Sequence, residues 1–68
     1  FDYVNITVSK PNSTAVITDI AGKHITQFTV NGTYYYDSSK LKPGIYFIAV
    51  NNGGNTITRK LVVNWGYL

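Results

Sequence analysis

Pro43-Gly44-Ile45-Tyr46-Phe47-Ile48-Ala49-Val50 contains the longest apolar run in the chain. Over residues 45–50 the side chains alternate, with Tyr46, Ile48 and Val50 on one face and Ile45, Phe47 and Ala49 on the other, so both faces want cover. A run this short, rich in β-branched and aromatic residues and bounded by Pro-Gly before it and Asn51-Asn52-Gly53-Gly54 after it, reads as the central strand of a sheet. It falls far short of the ~20 apolar residues that cross a bilayer as a helix. Pro43 presets the first turn angle and Gly44 accepts a positive second one, which predicts a type II turn into the strand.

Outward from this strand, the same signals recur at intervals of roughly ten residues, the spacing of a sandwich or barrel. Residues 3–8 alternate Val4, Ile6 and Val8 against Asn5 and Thr7. Residues 15–20 form the next expected strand, followed by a short loop at Ala21-Gly22-Lys23 and a returning strand at His24–Val30. Asn31-Gly32 predicts a two-residue hairpin with positive φ at both positions, pairing Thr33–Asp37 back on its predecessor. A polar connection at 38–42 leads to the central strand. The last strand, Thr56–Val63, points Ile57, Leu61 and Val63 to one side, and residues 64–68 are a tail. The expected fold is all-β: a small antiparallel β-sandwich of about six to seven short strands, spanning 1–68 as one module with no internal repeat.

Composition narrows the function. The chain has 68 residues, and a domain of that size buries only about 60% of the surface its unfolded form exposes, so its core is thin. There is no cysteine, which excludes disulfides and Cys-ligated metal. Six Lys and Arg against three acidic residues give a net charge of +3. The cations are spread along the chain apart from Lys40/Lys42 and Arg59/Lys60, which argues for a solvated surface and against a nucleic-acid partner. No basic-then-apolar leader precedes Phe1, so the expectation is a soluble module taken from a longer exported protein.

The punctuation carries a resemblance. Asp19, Gly22 and Lys23, with Ile25 beyond them, then Asp37, Leu41, Gly44, Ile45 and Tyr46, then Lys60, Leu61, Val62 and Val63, together resemble the type A C-terminal sorting domain of the bacterial type IX secretion system, over roughly residues 4–64. Ser38 stands where that family usually has an apolar residue, and its opening Asn-Pro segment is not seen. The resemblance implies a non-catalytic cargo signal at the C-terminal end of an exported or cell-surface protein. Its implied partners are the upstream cargo domain of the same chain, export-machinery proteins that read the module through Lys60, Leu61, Val62 and Val63, and a processing sortase that removes it.

Candidate chemistry is sparse. His24 could meet Asp37 and Ser38 or Ser39 as an acyl-transfer triad, but an exposed histidine after a hairpin loop needs no such partner. One histidine and three separated aspartates have no metal-ligand spacing, and no cofactor is expected. Tyr34, Tyr35 and Tyr36 with Trp65 support a rival reading, a carbohydrate-binding or immunoglobulin-like spacer module of an exported glycoside hydrolase or other surface enzyme, whose partner would be a polysaccharide. Alternation limits that platform, because Tyr34 and Tyr36 share one face while Tyr35 takes the other. The remaining positions singled out, Gly22, Gly32, Pro43 and Gly44, are turn residues. Ile45 and Phe47 are expected to stay partly open, as a contact site.

Overall fold

The computed structural model describes residues 3–64. Six strands occur in the order β1 (Tyr3–Thr7), β2 (Ser13–Asp19), β3 (His24–Val30), β4 (Thr33–Asp37), β5 (Gly44–Asn51) and β6 (Thr56–Val63), with a short 3-10 turn at Ser38–Lys40 between β4 and β5. They make two antiparallel sheets, β1-β4 and β3-β2-β5-β6. The run 45–50 is an interior strand, as its apolar faces require, flanked by β2 and β6.

Period-two alternation sorts the side chains between layers. Ala15, Ile17 and Val30 are wholly buried, joined from the larger sheet by Tyr46, Ile48 and Val63 and from the smaller by Ile6 and Tyr36. On the opposite face of β5, Ile45 is exposed and Phe47 half-buried, so this outer face is open. A register shift between Ile17 and Thr18 re-aims the end of β2, after which Thr18 pairs with His24. Such a bulge bends the strand and raises its twist.

Two turns differ from the sequence expectation. Asn31-Gly32 closes no hairpin, since β4 pairs with β1 and not with β3. A type I′ turn needs positive φ at both central residues, and among the described non-glycine residues only Asn12, at 56°, has it. Asn31 is held differently: its Oδ1 accepts the Asn12 N–H at 2.5 Å, while the Gly32 carbonyl accepts the Val8 N–H at 2.8 Å. The two residues therefore carry the chain from one sheet to the other. Crossing brings Tyr34 and Tyr36 face to face with Phe28 of β3, with ring centroids at 4.3 and 5.4 Å and interplanar angles of 22° and 4°. Stacked aromatic pairs of this kind contribute about 0.5–1.5 kcal/mol each beyond burial, an advantage that a hairpin within one sheet would forgo.

Gly44 is the second difference. Its φ is 158°, almost fully extended and far from the roughly +80° of a type II turn. Pro43-Gly44 is a bend that feeds directly into β5. The preceding connection is more ordered than a polar loop. Asp37 Oδ1 accepts from the Ser39 N–H at 3.0 Å and from the Ser39 hydroxyl at 2.6 Å, the Leu41 N–H donates to the Ser38 carbonyl at 3.0 Å, and the Leu41 side chain drops into the core.

Gly32 has φ +82°, and a Cβ built there meets nothing within 4 Å. Gly32→Val is therefore expected to destabilise through backbone strain alone, by about 1–3 kcal/mol. Urea unfolding reads this directly, and an unchanged midpoint would show that the crossing tolerates a side chain without strain.

Candidate functional site

Three stretches far apart in sequence meet at one end of the larger sheet. Asp19 pairs with Tyr46, and Tyr46 pairs with Leu61, so the aspartate before the Gly22-Lys23 loop, the Gly44-Ile45-Tyr46 segment and the Lys60–Val63 segment form one cross-strand row. Around it Gly44 lies opposite Val63, Ile45 opposite Val62 and Phe47 opposite Lys60. Pairs directly opposite on adjacent strands are the units through which a sheet is stabilised.

Each member has an identifiable local task. Asp19 Oδ1 accepts the N–H groups of Ala21 at 2.9 Å and Lys23 at 2.8 Å, while the Asp19 N–H donates to the Lys23 carbonyl and its own carbonyl accepts from Gly22, both at 3.0 Å. The carboxylate thus organises the loop that joins β2 to β3, an Asx-type arrangement. The Tyr46 hydroxyl donates to the Lys42 carbonyl at 2.7 Å and ties the incoming bend to the sheet.

The last segment divides by parity. Val63 is 4% exposed and Leu61 half-buried, both turned to the core, whereas Val62 is 57% exposed and Lys60 also faces solvent. Lys60 and Val62 stand on the same outer face as Ile45 and Phe47, because directly paired residues share a side of the sheet. That face presents a cation beside aliphatic and aromatic surface. Sequence periodicity indicated the inward pair; the outward neighbours Ile45 and Phe47 come from the β5–β6 register, which residue spacing alone does not provide.

The other expected groups are dispersed. The His24 imidazole Nε2 and Gln27 Oε1 lie 3.2 Å apart on the exposed face of β3, while Asp37 and Ser39 bond to each other within the turn after β4, so His24 is engaged apart from the Asp37–Ser39 pair. Tyr34 and Tyr36 lie against Phe28, and Tyr35, 66% exposed, points the other way, so the three tyrosines do not make one platform. Trp65 lies outside the described residues. Among the described residues no three His, Cys, Asp or Glu side chains cluster as metal ligands would.

The hydrogen bonds from Ser39, first through its hydroxyl and then through its N–H, hold the Asp37 carboxyl below the ordinary carboxylate value. Burial, and after it the nearby Asp37 charge, push the Tyr36 phenol up. A folded-state pKa below the unfolded one gives stability that is present above the unfolded value and lost as pH falls through the folded value. Stability is accordingly expected to decline on acidification below about pH 3.8. Asp37→Asn should flatten that limb of a urea-midpoint-against-pH curve, and an identical limb in the variant would assign the acid sensitivity elsewhere.

Comparison with known families matches residues 1–64 to the family described as the secretion system C-terminal sorting domain. No curated protein and no solved structure matches the chain.

Proposed function

The chain belongs to the family of secretion system C-terminal sorting domains, matched over 1–64, and on that premise we propose that it is a non-catalytic cargo signal. In this reading the folded sandwich is joined to an upstream cargo, recognised by the type IX outer-membrane export machinery, and afterwards removed by a processing sortase. The cargo reaches the cell surface or the medium.

The observation that carries this reading is the convergence of the three resemblance segments in the row Asp19, Tyr46 and Leu61. A pattern scattered along the sequence becomes one feature only in the folded domain, which supports a signal read as a surface of the fold. In this reading the last segment divides its roles by parity. Leu61 and Val63 hold β6 to the core, and Lys60 and Val62 are the groups a partner can touch. Exposed Lys60 sits on the wet side of its strand, where a charge can be removed with little effect on stability. The carboxylates of Asp19 and Asp37 are occupied with backbone N–H groups, which supports a domain that is read and does not act.

The test is a reporter cargo fused ahead of Phe1 in a bacterium that carries type IX machinery, with secreted and surface reporter measured. The intact fusion is expected to be exported and, by mass spectrometry, to lose the module. Lys60→Gln should lower export while changing the unfolding free energy by less than about 0.5 kcal/mol. Export of a fusion lacking residues 60–68 at the intact level would refute the sorting reading, because that deletion removes the outward groups and two core side chains together.

A further inference from the structure

The two sheets are unequal in width, and the mismatch falls at one place. β4 lies over β3 through the Phe28 stacking, β1 comes next, and among the described residues no strand covers the inner face of β6 at Ile57 and Arg59. A groove of about 630 Å³ opens there between β1 and the β5-β6 hairpin, lined by Ile6, Val8, Ile48, Val50, Ile57 and Arg59. Ile57 belongs to the inward face of its strand, with Leu61 and Val63, yet is 50% exposed. Asn52 also borders the groove, and its side-chain carbonyl is buried without a hydrogen-bond partner. A buried acceptor left unmet is destabilising, and a partner strand could supply the missing donor.

The backbone beside the groove is equally unfinished. The bond from Val8 N–H to the Gly32 carbonyl, with Thr7 opposite Thr33, sets the phase of the β1-β4 ladder. Val4, Ile6 and Val8 therefore turn their backbone groups to β4, and Asn5 and Thr7 turn theirs to the other edge. Among the described residues no strand pairs with that edge. A strand edge open at Asn5 and Thr7 above an apolar floor is the geometry used by proteins that bind an extended segment by strand addition, where backbone bonds give affinity and alternate side chains give specificity.

We propose that this groove receives an extended strand of an export-machinery protein, added to β1, with alternate apolar side chains resting on Val50 and Ile57 and a carboxylate opposite Arg59. The added strand turns the two-stranded sheet into a three-stranded one and covers β6. Charge selects this occupant: among the described residues Arg59 is the one ionised group lining the groove, and no carboxylate lines it. A second copy of a chain with net charge +3 would bring a further cationic surface to it. The proposal rests on the sorting reading and identifies a contact that reading leaves unassigned.

The test uses the reporter fusion with a flexible Gly/Ser linker ahead of Phe1, so that the linker supplies no apolar strand. Asn5→Pro removes an outward N–H and blocks strand addition, and proline is tolerated on an edge strand in that orientation. It is expected to reduce export by about tenfold or more, equivalent to at least ~1.4 kcal/mol of lost recognition, with an unchanged urea midpoint. Tyr35→Pro, the matched change on the outer edge of β4, should export normally. Arg59→Glu leaves β1 untouched and should also reduce export, which keeps the proposal testable if Asn5→Pro unfolds the domain. Normal export of Arg59→Glu, or of folded Asn5→Pro, alongside an exported intact fusion, overturns the groove while leaving the sorting reading in place; failure of the intact fusion itself overturns that reading. Light scattering that shows a dimer of the 68-residue chain made monomeric by Asn5→Pro would give the edge to a second copy and likewise overturn the proposal.

Discussion

The pairing of β2 with β5 sets the frame on which the remaining strands are hung. Ile17 and Ile48 lie directly opposite each other, both buried, at the middle of that ladder. β3 attaches to the far side of β2 and β6 to the far side of β5, so the whole larger sheet depends on one non-local register. A slip of one residue would turn Ala15 and Ile17 outward and bring Val16 and Thr18 into the core. With no cysteine to fix the alignment, the apolar pattern alone holds it.

The smaller sheet matters for what it covers. Through Tyr34 and Tyr36 it seals the β3 side of the core, and Leu41, which follows the 3-10 turn, adds its buried side chain to the same cluster. Cover runs out toward Ile57 and Arg59. Burial along the inner face of β6 is therefore graded, from fully enclosed Val63 through half-buried Leu61 to open Ile57, although all three have the same parity. One strand thus supplies core, row and groove, and its opposite parity supplies the exposed Lys60 and Val62.

Much of this is legible in the amino-acid sequence. The bounds of His24–Val30, Thr33–Asp37 and Thr56–Val63, the interior place of 45–50, and the split of Leu61 and Val63 from Lys60 all follow from alternation and flanking turn residues. Asn31-Gly32 misled because a dipeptide reports local preference, whereas the partner of β4 is fixed across the layers by Phe28 stacking. Pro43-Gly44 misled for a similar reason: Pro-Gly suits a turn, but the Tyr46 bond to Lys42 and the pairing of Gly44 with Val63 draw the glycine into the strand. The groove was not legible at all. Periodicity gives the side on which Ile57 stands but not whether another strand lies above it.

Because the chain changes sheets at Asn31-Gly32, the order in which contacts can form is constrained. β1 waits for β4, and β2 gains its interior neighbour only when β5 arrives, so little of the sandwich can close around an incomplete chain. Topologies dominated by distant pairings of this kind assemble slowly, over about milliseconds to seconds, because the entropy of closing long loops is lost before the contacts form. A domain built this way completes its core only when β6 brings in Val63, and matures as a unit. For a member of a secretion sorting-domain family, this means that the cross-strand row of Asp19, Tyr46 and Leu61 exists only once the last strand is in place.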